Sequence, residues 1–460
     1  MVKFSLKQYK RFLTKNERNK IYLKQNSAMG RSIADKKWKT KEILSKAGVG
    51  VPSLINRFKD AKSVDEFAWE KLEGNFVIKP ASGYGGEGII VVRKRGKWAG
   101  EWKKVNEEIV NIADLKLHCK EILEGRYSLY GMRDSVLLEE RIKIHPKFLC
   151  LTKFGTPDVR VIVYNNVPVM AMLRIPTEMS KGKSNLQQGA IGLGLDLATG
   201  ITTFGVMGKS DLIEKIYDYK KKKMIKVNGI KVPEWESILE TAVECQRQIP
   251  SLGFMGTDIL LDKDKGPMVL EVNARPGLSI QICNKAGLGL RLRRVEGIKV
   301  RTVSHGVKLA KYLFAESFFE KVEAKDKKKS MIIEPLEMIK IRIGKGKKNV
   351  VEVRSKVDTG AFRSSIDESF VKELGLLVEK NILYYRHYRS SLGKHNDRPV
   401  IGLTFWLKGR RIVTAVNVAN RSKLRTKFLL GRKDLKGFLV KATVDLPIAL
   451  QLHFSSLFQF

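Results

Sequence analysis

The stretch Gly256-Thr-Asp-Ile-Leu-Leu-Asp-Lys-Asp-Lys-Gly-Pro-Met-Val-Leu-Glu271-Val-Asn273-Ala-Arg275-Pro-Gly277 decides the reading of the chain. A short apolar run opens at Asp258, Asp262 to Pro267 has turn composition, and Met268 to Val272 forms a second run. The pattern predicts a hairpin. Side chains at i and i+2 of a strand share a face, so Glu271 and Asn273 project together, and a paired strand can bring Asp258 beside them. Three oxygen donors on one face suit a hard divalent cation of the magnesium type, which usually keeps waters and nucleotide phosphates in its other positions. By itself the stretch is equally readable as the polar edge of a surface hairpin.

The surrounding chain supplies context. Its 460 residues, 43% of them apolar, allow two to four globular domains with sizeable cores. No run of about 18 apolar residues occurs and the N-terminus lacks an apolar segment with a small-residue cleavage site, which predicts a cytoplasmic protein without membrane spans. Cys119, Cys150, Cys245 and Cys283 are scattered without CxxC spacing, excluding a disulfide framework and a zinc knuckle and predicting buried, reduced thiols. The net charge of +39 is spread over the chain, with local runs at 220–223, 291–294, 327–329 and 345–348. Such a field attracts nucleic acid, ribosomes or an anionic acceptor and says nothing of fold. No RNA-recognition signature with interleaved aromatics is evident in the linear sequence.

Upstream, residues 1–30 read as a basic leading helix or arm, and Asp35 to Gly48 has helical spacing through Trp38, Ile43, Leu44 and Ala47. Asn75 to Val92 reads as two strands joined by a loop containing Gly83, Gly85, Gly86 and Gly88, with Lys79 just before it. Glycines let backbone N–H groups approach phosphate oxygens and a strand lysine adds a point charge, although a flexible hairpin tip reads the same way. Ser135 to Glu140 is a strand ending in Glu139 and Glu140; Asp158 to Arg174 is a hairpin turning at Asn165-Asn166, with Asp158, Arg160 and Ile162 on one face. Asn185 then introduces a glycine-rich stretch, and Pro233 to Pro250 is helical.

In this order the pieces resemble the ATP-grasp enzymes, particularly RimK-type α-L-glutamate ligases, over roughly residues 30 to 300. The resemblance implies an α+β ATP-grasp domain that grips ATP between two sheets. Lys79 and Lys36 then match phosphate contacts, Glu139 and Glu140 the hinge that holds adenine and ribose, and Asp258, Glu271 and Asn273 the ligands of Mg2+ or Mn2+. Arg160, Arg174, Asn185 and Arg275 match positions near an acyl-phosphate. The implied activity joins a carboxylate to an amine, with glutamate as the expected amino acid and a peptide or protein, of acidic character, as the expected acceptor. The segment before the Asp35-Lys36 helix is short compared with longer relatives, which make substrate contacts there.

Residues 321–335 lose periodicity and gain charge, predicting a linker between a 1–320 domain and a 336–460 domain. The latter is all-β in character: Val350 to Asp358-Thr359-Gly360, Val400 to Trp406, Arg411 to Val416, then Phe428-Leu-Leu-Gly431-Arg432. Asp-Thr-Gly alone is a common turn. With its Val-rich strand and the later Leu-Gly-Arg it resembles a retropepsin-like (acid protease) barrel, of the kind found encoded with RimK-type ligases. Aspartic peptidase chemistry needs two carboxylates sharing a proton, so a lone Asp358 implies a homodimer through this domain. Asp367 and Asp397 lack the motif context, and His387 and His395 read as loop residues, not zinc ligands. The contrasting reading is a basic nucleic-acid- or ribosome-associated protein whose enzyme-like domains are inactive.

Overall fold

In the computed structural model, which describes residues 12–83, 86–128, 131–208, 211–315, 331–344, 349–389 and 395–441, the chain divides into two compact units, Met1–Phe314 and Ala315–Phe460.

The first unit carries two antiparallel sheets. One comprises β1 (Leu54–Phe58), β2 (Phe76–Pro80), β3 (Ile90–Arg95), β4 (Glu101–Lys104), β5 (Ile109–Asn111) and β6 (Val136–Glu140), in the order β1-β6-β2-β3-β4-β5. The expected lysine hairpin is the β2–β3 pair, with Ile78 opposite Ile90. Helix Ile112–Leu123, started by a capping box between Asn111 and Asp114, buries Leu115, Cys119 and Ile122 against Phe76, Ile78 and Val136. That apolar cluster fixes the strands that present Lys79 and Glu139.

The second sheet comprises β7 (Asp158–Tyr164), β8 (Val167–Ile175), β9 (Ile191–Leu195), β10 (Thr202–Met207), β11 (Asp211–Ile213), β14 (Phe254–Asp262) and β15 (Gly266–Asn273), in the order β11-β10-β9-β8-β7-β14-β15. Between β11 and β14 the chain makes a separate hairpin of β12 (Lys215–Asp218) and β13 (Lys223–Lys226). All nine residues of β8 and all nine of β14 are buried, because helices cover the sheet. Helix Trp235–Gln248 turns Trp235, Ile238, Leu239, Ala242 and Val243 onto it at 3.6-residue spacing. Asn165 and Asn166 both take positive φ, the turn that matches strand twist in a two-residue hairpin.

The helix expected from Asp35 to Gly48 spans Lys37–Lys46; a separate helix, Ala28–Asp35, precedes it, and Lys36 between them adopts extended backbone as the N-cap of Lys37–Lys46. Met1–Arg11, read as part of a leading arm, lie outside the described residues. Among the described residues no helix is long and apolar enough to cross a membrane. Cys119, Cys245 and Cys283 are buried and not in disulfides, while Cys150 is only half-buried.

Among its described residues the second unit is built mainly of strands, with a short helix at Glu368–Glu373. Strands β17 (Leu336–Arg342), β18 (Val350–Asp358), β19 (Ser365–Asp367), β20 (Ile382–Arg389), β21 (His395–Leu407), β22 (Arg410–Ala419) and β23 (Phe428–Gly431) run in the order β17-β18-β23-β19-β22-β21-β20. A further β17–β21 pairing closes six of them into a barrel around Ile339, Ile341, Ile366, Leu403, Phe405, Val416 and Phe428. A short parallel pair joins β16 (Met331–Ile333) to β24 (Phe438–Val440), so part of the stretch expected as linker is strand; residues 321–330 lie outside the described residues. His387 and His395 belong to the strands β20 and β21, not to a loop, because the pair extends past the polar run that suggested one.

Candidate active site

Antiparallel register assembles the centre of the first unit. On β14 and β15 Asp258 lies opposite Glu271 and Gly256 opposite Asn273; on β14 and β7 Asp258 lies opposite Arg160; on β7 and β8 Asp158 lies opposite Arg174. Four strands therefore place two arginines, three carboxylates and an amide on one patch of sheet.

The Arg160 guanidinium donates to both oxygens of Asp258, from Nε at 2.6 Å and Nη2 at 2.5 Å. Arg174 donates to both oxygens of Asp158, at 2.5 and 2.7 Å, and its Nη2 also lies 2.8 Å from Asp258 Oδ2. Such fork-to-carboxylate pairing fixes the plane and direction of the guanidinium, which a lysine could not do. Burial pushes the Asp258 carboxyl up, but Arg160 and Arg174 outweigh it and hold the group well below the ordinary carboxylate range. Asp158, buried beside Asp258, is pushed up by burial to about 6 despite Arg174. Arg174, although burial opposes its charge, is held protonated by Asp158 and Asp258.

Asn273 Nδ2 donates to Asp258 Oδ2 at 3.3 Å and to Glu271 Oε1 at 3.2 Å. The amide thus spans the two carboxylates, and turning it over would present a third oxygen. Among the described residues no group of three or more His, Cys, Asp or Glu side chains could hold a metal ion. The donor set is instead two carboxylates and one carboxamide, hard oxygen ligands of the type magnesium accepts, and a carboxylate engaged by arginine retains lone pairs for a cation.

A second charged cluster lies on the β2–β6 sheet. Glu139, 2% exposed, accepts from Lys41 Nζ at 2.6 Å through both oxygens and pairs with Lys79 Nζ at 2.6 Å. Burial raises the Glu139 carboxyl, but Lys79 and then Lys41 more than offset it and the net direction is down; burial and the neighbouring Lys79 depress the Lys41 ammonium. Glu139 and Glu140, adjacent on a strand, point to opposite faces. Glu140 reaches outward to Lys265 on the β14–β15 turn at 2.6 Å, so the two do not act as one acidic pair.

Around the glycine loop, Lys37 Nζ donates to the Gly83 carbonyl at 3.2 Å, and burial depresses its ammonium. Lys183 Nζ pairs with Glu87 at 3.0 Å. Gly86 and Gly88 take positive φ, and a Cβ on Gly83 would sit 2.2 Å from the Pro80 ring. Gly85 lies outside the described residues.

Three expected site residues fall elsewhere. Lys36 is exposed, because the break between the two helices turns it outward and Lys37 inward. Arg275 is half-exposed and pairs with Asp35 at 3.0 Å. Asn185 caps the turn Leu186–Gln188, its side chain accepting from the Gln187 N–H. Conversely, Lys37, Lys41 and Asp158 were missed. Lys37, Lys41 and Leu44 repeat at helical spacing along one face, and that was the available signal.

In the second unit, Asp358 Oδ1 accepts from Gly360 N at 2.9 Å and Ala361 N at 3.0 Å, while Thr359 and Gly360 are exposed. Parallel pairing sets Asp358 opposite Gly431, where a Cβ would lie 2.3 Å from the Arg363 carbonyl carbon. Asp367 is spent capping helix Glu368–Glu373 and receiving the Arg421 N–H, and Asp397 is exposed.

Comparison with known proteins gives one family: the model for sugar-transfer associated ATP-grasp matches residues 16–297. Among solved structures the chain is similar to the ATP-grasp ligase PsnB complexed with minimal precursor, at 16% identity over 59% of this chain and 62% of that one, TM-score 0.32. It is similar also to D-alanine–D-alanine ligase from Bacillus anthracis complexed with ATP, at 15% identity over 65% and 71%, TM-score 0.32. Over 22% of this chain and 90% of its own it is similar to the Simian Foamy Virus (mac) protease, at 18% identity and TM-score 0.17. The matched region spans just under two thirds, 62%, of the PsnB chain. No curated protein matches.

Proposed function

The chain belongs to the sugar-transfer associated ATP-grasp family, and from that premise we propose that its first unit is an ATP- and Mg2+-dependent carboxylate–amine ligase of the RimK-like α-L-glutamate type. The observation that carries the reading is the register-locked set Asp258, Glu271, Asn273, Arg160 and Arg174 on four neighbouring strands. Asp258, Glu271 and Asn273 would hold magnesium, which when bound offsets negative charge on phosphate oxygens. Lys79, with Lys37 at the base of the glycine loop, supplies positive charge for the phosphates, and Glu139 holds Lys79 in place. Glu140 is proposed to lie beside the nucleotide.

Arg160, at the rim of the patch, is placed to orient an incoming carboxylate; Arg174, buried and locked between Asp158 and Asp258, orients Arg160's partner. The carboxylate oxygen attacks the γ-phosphorus, ADP leaves, and an amine then attacks the acyl carbon, losing a proton as phosphate departs. The acceptor is proposed to be a peptide or protein; PsnB is described in complex with a precursor. Incubating the purified chain with ATP, Mg2+ and each amino acid, while following ADP release and product mass, tests the reading. Glu271→Ala should abolish turnover with the fold intact, and unchanged ADP release in that variant overturns it.

For the second unit we propose an aspartic peptidase, homodimeric so that two copies of Asp358 meet. The reading is supported by the Asp358-Thr359-Gly360 loop at a barrel end, packed beside Gly431 where only glycine fits. Asp358→Asn should abolish hydrolysis without touching ADP release, and activity destroyed by chelators refutes it.

A further inference from the structure

Residues 215–226, Lys-Ile-Tyr-Asp-Tyr-Lys-Lys-Lys-Lys-Met-Ile-Lys, hold six lysines against one aspartate. Strands β12 and β13 pair Lys215 with Lys226 and Tyr217 with Met224, and these four side chains are exposed, while Ile216 and Asp218 are buried on the other side. Asp218 Oδ1 accepts from the N–H groups of Lys220 and Lys221, at 3.0 and 2.9 Å, so the aspartate is spent in building the turn. That turn displays Lys220, Lys221, Lys222 and Lys223, all exposed.

A second segment completes the surface. The Tyr219 ring lies 5.0 Å from Tyr217 and 6.4 Å from Phe154, edge to face in both cases. The Lys153 ammonium lies 5.3 Å from the Phe154 ring and 6.0 Å from Tyr219. Three rings therefore run contiguously with lysines on each side, flanked by the exposed Glu178 and Glu214. This interleaving of aromatics and cations is not evident in the linear sequence, because Phe154 and Lys153 join the hairpin only in three dimensions.

We propose that this surface binds single-stranded nucleic acid. An acidic peptide would use the lysines and leave the rings idle, and a lipid surface would favour bulkier exposed apolar groups at the hairpin tip than four lysines. A single strand alone offers both closely spaced phosphates and planar faces that stack on aromatics. The proposal does not rest on the ligase reading.

The test uses the full chain and a fluorescein-labelled oligouridylate of about 12 nucleotides, within the length such surfaces cover, with anisotropy read at several salt concentrations. Replacing Lys220, Lys221, Lys222 and Lys223 together by Gln should weaken binding at least about tenfold and flatten the salt dependence. Tyr217→Leu with Tyr219→Leu should weaken it about fivefold or more through lost stacking. Lys94→Gln with Lys97→Gln, exposed lysines of the other sheet, should change it less than about twofold. Photocrosslinking of the unaltered chain to an iodouridine oligonucleotide should mark 215–226 or 153–154. Equal loss in the Lys94/Lys97 control, no loss in the tyrosine variant, crosslinks confined to other segments, or equally tight hairpin-dependent binding of oligoglutamate or phosphatidylserine vesicles would each overturn the proposal.

Discussion

Glu139→Gln is the substitution with the largest consequence that can be worked from contacts alone. Glu139 is 2% exposed, and the lysine side chains that share it, Lys41 and Lys79, are 8% and 9% exposed, all three contacts being 2.6 Å. The glutamine keeps the volume and one acceptor oxygen but removes the charge, leaving two ammonium groups side by side in a site closed to water. Breaking a buried pair by deleting one partner costs about 3–5 kcal/mol, a large part of the roughly 5–15 kcal/mol by which domains are stable. For a unit of this size the expected drop in melting temperature is on the order of 10 °C.

The dependence on pH has a definite sign. The folded-state carboxyl lies below its ordinary value, so its contribution is present above the unfolded carboxylate range and lost as pH falls through the folded value. The gap between wild type and Glu139→Gln should therefore be full at pH 7 and close in acid. Adding Lys41→Met to Glu139→Gln removes one of the stranded charges and should recover about half of the loss, because coupled partners are not additive. Urea unfolding followed by circular dichroism at pH 7 and in acid provides the measurement. A single variant within about 0.5 kcal/mol of wild type, or a double variant no more stable than the single, would refute the reasoning.

Four further outcomes are expected. Arg160→Ala should remove one of the two guanidinium partners of the buried Asp258 carboxylate and leave it to Arg174, lowering stability of the first unit by about 3 kcal/mol in urea titrations, and should abolish ADP release. Asp158, pushed up to about 6 by burial, favours the folded state in its protonated form, so its contribution is present at pH below the unfolded carboxylate range and lost as pH rises through about 6; the wild-type advantage over Asp158→Asn should shrink from pH 4 to pH 7. Lys79→Met should weaken ATP binding in equilibrium titrations, whereas Lys36→Met, at an exposed position, should leave it nearly unchanged. Gly431→Ala would set a Cβ 2.3 Å from the Arg363 backbone and should destabilise the second unit by about 2–3 kcal/mol, visible as its own unfolding transition.

Periodicity and turn chemistry act between near neighbours, and what they govern was legible from the residues: the hairpins turning at Asn165-Asn166 and at Asp262 to Pro267, the paired projection of Glu271 and Asn273, the helix between Pro233 and Pro250, and the Val-rich strand that leads into Asp358. Tertiary structure alone decided which strands adjoin. Strand order put β7 beside β14, and that gave Asp258 to Arg160 as partners across a long sequence separation, whereas Asp158 meets Arg174 within the β7–β8 hairpin. It also separated Glu139 from Glu140, sending one to two buried lysines and the other to Lys265, and it turned Lys37 inward while leaving Lys36 outside. Local sequence can specify that a lysine lies on a helix, but the direction it faces follows from where the helix breaks and what it packs against. Charge needs a partner at hydrogen-bond distance once water is removed, and only the folded chain brings residues such as Lys41 and Glu139 to that distance.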